Sequence, residues 1–182
     1  IALGYRSSMP IIDLKLISQQ ARQTDFIAAE NQLLEIITPF LVARNELDLP
    51  AELANKLKST PLAIYEQGSA GVLLHTLAPA IPHLIGHIVP LPTQAKDLLN
   101  YIQSKPELTL AIGPENEQNF SIALWDGKKG AAQTLRLGIQ NPALRQGIIA
   151  FATQDMLRRY LNDEPLLGSY ETLIRTDEIV IA

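Results

Sequence analysis

The chain has 182 residues, of which 47% are apolar, and a formal net charge of -4; these values predict a soluble globular protein with one ordinary domain and room for a small companion. Its Lys and Arg residues are scattered through an acidic chain, which excludes the basic stripe that a nucleic-acid partner requires. It contains no cysteine, which excludes disulfides and thiolate metal sites and leaves the cytoplasm as the expected location.

Residues 1–49 predict a small β-β-α-β subdomain. Two strands flank the turn sequence SSMP, since apolar and polar residues alternate after it. Thr24 is predicted to cap a helix whose apolar residues recur at helical spacing until Pro39 disturbs the pattern. The segment FLVAR, residues 40–44, is predicted to close the subdomain as a third strand.

Residues 50–165 predict a three-layer α/β/α domain whose first helix begins near Pro50. The β-leaning apolar segments are LAIYE, which enters the turn at 67–71, and residues 108–113, 119–125 and 131–138. The sequence DGKKG joins the last two as a hairpin, so we expect a mixed sheet. Asn141 and Pro142 predict the start of a long helix. The tail, residues 166–182, ends in EIVIA, which favours an edge strand or a contact with another chain.

Residues 72–91 lack formal charge over about 20 positions, which is long enough for a membrane span. Their prolines and glycine would leave backbone groups without hydrogen bonds in lipid. We therefore predict a buried helix, a loop and a strand here, and no membrane partner.

Three histidines fall in the same stretch: His75, His83 and His87. Two of them are four residues apart, as two metal ligands on one helical turn would be. A proline and a glycine interrupt that turn, and neither a cysteine nor a carboxylate joins the histidines. We therefore predict ordinary, partly buried histidines and no metal site.

The turn after LAIYE offers two interpretations. The backbone amides from Gly68 to Gly71 precede a helix and could face an anion such as a phosphate. Small residues are equally what a tight strand-to-helix turn needs for packing. Ser69 does not fit the nucleophile pattern G-x-S-x-G, because Gln67 stands where its first glycine belongs.

The predicted long helix carries charges within its apolar sector. Asp155 and Arg159 are spaced for an ion pair on one face, which is most simply structural. Arg145, in the first turn, could reach a ligand phosphate or serve the structure. Leu157 and Leu161 lie away from the main apolar stripe, so we predict a homo-oligomer.

Four segments resemble, in order and spacing, the C-terminal domain of the CinA family of competence and damage-inducible proteins: LAIYEQGSAGVLL, GHIVPLPTQAK, LAIGPE and LRQGIIAFATQDMLRRYL. The resemblance covers about residues 52–161. The β-β-α unit before it resembles the small middle domain that, in longer members, follows a molybdopterin-binding-like domain. The chain begins with isoleucine and no charged segment precedes an apolar core, so we expect no signal peptide and a piece of a longer chain.

Active members of the family are nicotinamide mononucleotide deamidases with a first motif A-E-S-x-T-G-G, whose serine is the nucleophile. In this sequence Glu66 matches the acid, but Gln67 stands at the serine. Ser69 matches the threonine, and Ala70 and Gly71 match the two glycines. A glutamine amide is neither a useful nucleophile nor ionisable near neutral pH.

The second family motif has a tyrosine and, five residues later, a lysine that serves the nucleophile. Leu91 replaces the tyrosine, whereas Lys96 keeps the lysine. If the scaffold is still that of a deamidase, we expect Glu66, Lys96 and the turn to cluster, with Lys96 hydrogen-bonded to the side chain of Gln67.

The third motif, T-G-x-A-G-P, survives in three residues: Thr109, Gly113 and Pro114. Leu110 and Ile112 occupy its small positions, where we expect their bulk to narrow a nucleotide pocket. Arg145 matches an arginine that opens the last long helix of the family. With Gly68 and Gly71, these matches make up the ligand-binding positions that the resemblance implies.

The resemblance therefore implies a deamidase-like domain that is catalytically silent and retained for nucleotide binding or assembly. One alternative is an active nicotinamide-nucleotide amidohydrolase in which Ser69 has become the nucleophile. Another is a purely structural oligomerisation domain. We expect no cofactor, and a pyridine nucleotide and a second copy of the chain as partners.

Overall fold

A six-stranded mixed sheet carries the larger of the two units into which the chain divides, Ile1–Leu47 and Asp48–Ala182. The computed structural model describes residues 1–8, 11–18, 20, 22–38, 49–167 and 174–181.

The smaller unit contains an antiparallel hairpin of β1 (Ala2–Ser8) and β2 (Ile11–Ile17), followed by helix α1 (Gln23–Ile37). The predicted hairpin is thereby confirmed, as is the end of the helix before Pro39. The prediction that Thr24 caps the helix was wrong. Arg22 takes the N-cap position with extended backbone and no side-chain cap, so Thr24 lies inside the first turn. The predicted strand at residues 40–44 lies outside the described residues.

The larger unit alternates helices and strands from α2 to β5, after which β6 and β7 follow without an intervening helix. Its described elements, in chain order, are α2 (Leu49–Leu57), β3 (Leu62–Glu66), α3 (Val72–Leu77), β4 (Leu84–Ile88), α4 (Ala95–Gln103), β5 (Leu108–Ile112), β6 (Asn119–Trp125), β7 (Gly130–Arg136), α5 (Pro142–Leu161) and β8 (Ile174–Ile181). None of the described helices is both long enough and apolar enough to cross a membrane.

The sheet has the strand order β4-β3-β5-β6-β7-β8. β3 runs parallel to both β4 and β5, while β6, β7 and β8 continue the sheet in antiparallel pairs. The predicted mixed α/β sheet is therefore confirmed, including the β6–β7 hairpin at DGKKG. The parallel strands β3 and β5 read as unbroken buried runs, as expected for strands covered on both faces.

Helices cover both faces of this sheet. α4 packs against β5 to β8, and its buried residues Leu98, Leu99 and Ile102 join Ala63 and Ala111 in one apolar cluster. α5 packs against β5 and β6 and also against α2 and α3. The alternation of side chains along each strand supplies a separate core to each face.

Helix α4 is an element that was not predicted from the sequence. Its buried residues follow helical spacing, but it is only nine residues long and comes directly after the proline-rich segment IVPLPT. Such a short amphipathic pattern is easily lost beside strong turn signals. The start of α5 was predicted correctly, because the Asn141 side chain accepts hydrogen bonds from the amides of Ala143 and Leu144.

Leu157 corrects one step of the oligomer prediction. Its place away from the main apolar stripe suggested a residue left for a second copy of the chain, but it is 0% exposed within this chain. The cause is that α5 contacts both the sheet and helices α2 and α3, so that more than one side of it is buried. Leu161 is partly buried. The apolar residues outside the main stripe of α5 therefore pack mainly within this chain.

The last turns of α5 carry a buried ion cluster. Asp155, 2% exposed, accepts a 2.8 Å hydrogen bond from Nε of Arg158 and another of 2.8 Å from Nε of Arg159. Glu164 adds bonds of 3.0 and 3.2 Å to the Arg158 guanidinium. Burial acts to lower the pKa of Arg158, but hydrogen bonds and charge from Asp155 and Glu164 outweigh it and raise that pKa. The predicted Asp155–Arg159 pair is present and is structural.

The β6–β7 turn is organised by Asp126. Its carboxylate accepts the amides of Lys128 and Lys129 at 2.8 and 2.7 Å and the Tyr160 hydroxyl at 2.9 Å. Burial acts to raise the pKa of Asp126, but these hydrogen bonds and the charge of Lys129 lower it overall. Burial and the contact with Asp126 raise the pKa of Tyr160.

The lowered pKa of Asp126 predicts an acid-dependent loss of stability. A carboxyl whose folded pKa lies below its unfolded value of about 3.9 stabilises the fold above that value, and the contribution disappears as the pH falls through the folded pKa. We expect Asp126→Asn to flatten the decline in unfolding free energy between about pH 5 and pH 2. Urea unfolding of both proteins across that range measures it, and equal slopes would contradict the prediction.

Candidate functional site

Three segments converge beyond the carboxyl ends of β3 and β5, where ligands of open α/β sheets bind. Oε1 of Gln67 accepts a 2.9 Å hydrogen bond from the backbone N of Leu91, which joins the first and second motifs. A Cβ on Gly68 would collide with the carbonyl oxygen of Gly113, and one on Gly113 would collide with that of Pro92. The backbones therefore approach so closely that only glycine fits at these two positions.

Glu66 and Ser69 form a buried cap for α3. Both are 0% exposed, and the Ser69 hydroxyl donates a hydrogen bond to Oε2 of Glu66. Oγ of Ser69 also accepts the Leu73 amide at 3.2 Å, while Oε1 of Glu66 accepts the Leu74 amide at 3.3 Å. The side chains of the motif thus satisfy amides that a helix leaves without partners at its start.

The turn itself uses positive backbone angles to change direction. Ala70 has a φ of 52° and Gly71 a φ of 89°, both in the left-handed region that favours glycine. The amides of Gln67 and Gly68 donate to the carbonyl oxygen of Ile112 at 3.0 and 3.4 Å. The turn amides are therefore partly used within the chain, and α3 has only six residues. Of the two interpretations of this turn, packing has the contacts that support it.

Lys96 does not make the predicted contact with Gln67. It lies in the first turn of α4 with an exposed side chain, and within the described part of the chain no hydrogen bond joins it to Gln67. Leu91, which takes the place of the family's tyrosine, is 8% exposed and belongs to the apolar cluster under α4. The expectation of a lysine hydrogen-bonded at position 67 was wrong, so this contact gives no support to a former active site at the turn.

The three retained residues of the third motif lie at different points along β5, so only two of them are near the turn. Thr109 lies near the start of the strand, is 0% exposed and donates to the Glu107 carbonyl at 2.9 Å, so it is separated from the turn. Gly113 and the partly buried Pro114 follow the end of the strand and are close to it.

Leu110 and Ile112 lie within β5 and are both 0% exposed. We expected them to narrow a loop at a nucleotide pocket. They are instead core residues of a strand. Ile112 packs close to the turn, since its Cγ2 would stand 3.0 Å from a Cβ at Gly68. That expectation is corrected because the motif falls on strand rather than loop.

Arg145 is held by partners from this chain. Its Nη2 lies 2.8 Å from Oε1 of Glu115, just beyond the third motif. Its Nη1 donates to the carbonyl oxygens of Ile139 and Gln140 at 2.7 and 2.8 Å. Nε is buried and finds no hydrogen-bond partner among the described residues. The residue is 9% exposed, so it anchors the loop after β5 to the start of α5.

The three histidines are distributed over different elements. His75 lies on α3, His83 precedes β4, and His87 lies on β4, where its ring stacks on Tyr65 with centroids 4.5 Å apart. The prediction of partly buried side chains is confirmed for His87 and wrong for His75 and His83, which are exposed because they lie near the surface ends of their segments. Within the described ranges no three His, Asp or Glu side chains are grouped as a metal site would need.

Two contacts that order the site were not foreseen. No local pattern in the sequence predicts that Glu115 pairs with Arg145, because 30 residues separate them in the chain. Ser121 donates to the carbonyl oxygen of Thr93 at 2.6 Å and so holds the segment after β4 against β6. Both depend on the packing of distant segments, for which local patterns carry no information.

The comparisons with known proteins agree with the resemblance in the sequence. No family model matches the chain. A CinA-like protein of Escherichia coli (strain SMS-3-5 / SECEC) is 30% identical over 93% of this chain, and CinA-like proteins of Shigella flexneri and of Escherichia coli (strain K12 / DH10B) are 29% identical over 93%. The chain spans 45% of the length of these relatives. With homology over nearly its whole length, the chain belongs to the CinA family.

Proposed function

We propose that this chain carries a deamidase-like domain that no longer catalyses amide hydrolysis and has been retained for assembly. The observation that carries the proposal is the hydrogen bond from the Leu91 amide to the Gln67 side chain. Covalent hydrolysis requires a hydroxyl or thiol beside a base, and position 67 supplies an amide that is already used to join two backbone segments.

The surroundings of position 67 support the same conclusion. Lys96, the residue that the family resemblance assigns to the nucleophile, is exposed and has no hydrogen bond with Gln67. Leu91 contributes an apolar side chain to the core instead of a tyrosine hydroxyl. A nucleophile and a base must lie within hydrogen-bond reach of each other, and this arrangement provides neither member of the pair.

Ser69 is a poor substitute for the missing nucleophile. It is 0% exposed, its hydroxyl donates to Glu66, and its oxygen accepts the Leu73 amide. Attack on a nucleotide amide would require that oxygen to leave the cap of α3 and reach solvent. The active alternative, in which Ser69 takes over catalysis, therefore has the geometry against it.

Between nucleotide binding and assembly, the contacts favour assembly. Arg145 is paired with Glu115, and the amides of Leu73 and Leu74 are bonded to Ser69 and Glu66. Groups that would recognise a phosphate thus already have partners within the chain.

Turnover of nicotinamide mononucleotide tests catalytic silence. We expect no enzyme-like release of ammonia, where about one turnover per second would be ordinary for an enzyme. Ser69→Ala serves as the matched control for the buried serine. Turnover near that rate that disappears in Ser69→Ala would overturn the proposal and establish the active alternative.

The variant Gln67→Ser tests whether restoring the hydroxyl is enough to restore amidase activity. The change restores a hydroxyl at the family's position but leaves Lys96 unpaired with it and Leu91 in the core. Because catalytic groups act as a unit, we expect the single change to yield weak activity at best. A variant with ordinary enzyme turnover would show that only the nucleophile was missing.

A further inference from the structure

A cavity opens at the end of the larger sheet that lies opposite the turn at Gln67. β3 and β5 are parallel, with Leu62 beside Leu108, so the residues that precede these two strands meet at one end of the sheet. β6 runs the other way, with Trp125 beside Thr109, so the residue that follows it reaches the same end. The cavity between these segments and the last turn of α5 has a volume of about 400 Å³. Small-ligand sites commonly have about 300–1,000 Å³.

The lining of this cavity combines apolar surface with negative charge. Its apolar part comes from two prolines, a leucine and a tyrosine: Pro61, Pro106, Leu108 and Tyr160. Its polar part comes from Thr60 and from two acidic residues, Glu107 and Asp126, and no lysine or arginine belongs to the described lining. We propose that this cavity binds a small organic cation, whose ammonium or guanidinium group lies beside the carboxylates and whose apolar body packs on the prolines and the tyrosine ring.

The carboxylate of Glu107 needs a partner that the described chain does not supply. The residue is partly buried, and neither a hydrogen bond nor an ion pair joins its side chain to another described residue. A carboxylate that is partly removed from water without a partner costs free energy, and a cation offsets that cost. An ammonium or guanidinium group would donate charge-assisted hydrogen bonds, which are about twice as strong as neutral ones.

Asp126 and Tyr160 are already fixed in position on another wall of the cavity. Oδ1 of Asp126 accepts the amides of Lys128 and Lys129, while its Oδ2 accepts the Tyr160 hydroxyl at 2.9 Å. Because that hydroxyl donates to Asp126, its oxygen can still accept a hydrogen bond from a ligand. Groups that are held in place beforehand lower the ordering cost of binding.

The ring of Tyr160 already stabilises one positive charge from within the chain. The Lys129 ammonium lies 5.3 Å from the ring centroid, which is within the reach of a cation–π interaction. A metal ion fits this lining less well than an organic cation does. Hard divalent metals require several oxygen ligands, and among the described residues no three His, Asp or Glu side chains are grouped to hold one.

Benzylamine is a suitable probe, because it joins an ammonium group to a flat apolar ring. Benzyl alcohol has a similar shape without the charge and is its matched control. A ligand-observed NMR titration of the unaltered chain should give saturable binding of benzylamine with a Kd of about 1 mM or lower. Benzyl alcohol should bind at least about tenfold more weakly, since it gains no charge-assisted hydrogen bond.

Two substitutions in the lining and one outside it locate the site. Glu107→Gln keeps the side-chain size but removes the charge, and it should weaken benzylamine binding about tenfold. Thr60→Lys, at an exposed position of the rim, supplies a competing cation and should weaken it at least as much. Glu117→Gln removes an exposed carboxylate from the loop between β5 and β6, at the other end of the sheet, and should leave the Kd unchanged.

Circular dichroism establishes that each variant is folded, and Thr60→Lys decides the test if Glu107→Gln is not. The proposal would be overturned by the absence of saturable benzylamine binding up to about 10 mM. Equal binding of benzyl alcohol, or a Kd unaffected by the two lining substitutions, would overturn it as well. The site lies away from Gln67 and the assay measures no turnover, so either result leaves the proposal of catalytic silence untouched.

Discussion

Asp155→Ala is expected to lower the free energy of unfolding by about 3–5 kcal/mol, the usual cost of removing one member of a buried ion pair. Asp155 is 2% exposed and accepts hydrogen bonds from two arginines, so its removal leaves two guanidinium groups short of a partner. Glu164 still contacts Arg158, which places the expected loss toward the lower end of that range. Chemical denaturation at neutral pH measures it.

Two further substitutions separate charge from shape in this prediction. Asp155→Asn keeps the side-chain volume but removes the negative charge, so most of the loss should persist. Asp163→Asn removes a carboxylate that is 93% exposed and lies 3.4 Å from Lys129. An exposed pair of this kind contributes about 0–1 kcal/mol. A similar loss for Asp163→Asn and Asp155→Ala would contradict the assignment of the buried cluster as structural.

Gly68→Ala is expected to have the largest effect of any small substitution near position 67. The added Cβ would collide with the carbonyl oxygen of Gly113 and stand 3.0 Å from side-chain atoms of Ile112 and Phe120. A backbone carbonyl cannot turn aside as a flexible side chain can, so the segments must separate. We expect a loss of about 1–3 kcal/mol or more, as overpacked cores show.

Gly147→Ala is the matched control for this change. Gly147 lies within α5, and an added Cβ would meet no atom within 4 Å. Alanine is favoured over glycine inside a helix by about 1 kcal/mol, so this variant should be stabilised. Thermal unfolding of the two variants beside the unaltered chain should move in opposite directions, and a neutral Gly68→Ala would mean that the segments are not packed as described.

Local signals account for the parts of the fold that the sequence predicted. β6 was predicted at its observed bounds because DGKKG follows a short apolar run, and α5 because Asn141 and Pro142 mark its start. Leu157 shows the limit of such reasoning. A broad apolar stripe indicates that a helix is buried, but it does not say whether another chain or a second internal layer buries it.

The candidate site was predictable in its position and less so in its contacts. The strand-turn-helix around Gln67 follows from one continuous segment, so its place at the end of β3 could be read directly. The bond from the Leu91 amide joins residues 24 apart. The exposure of Lys96 depends on where α4 begins, and that helix had not been predicted. Long-range register decides such contacts, and a single sequence does not encode it locally.

The arrangement of strands has a consequence for the order of folding. β5, β6 and β7 are neighbours both along the chain and in the sheet, so they pair by closing short loops. β3 reaches β5 only after α3, β4 and α4 have been accommodated between them, which is slower because more chain entropy is lost before contacts form. Refolding should therefore complete the antiparallel half first. The turn at Gln67 draws on segments from the parallel half, so it should take shape among the last parts of the unit.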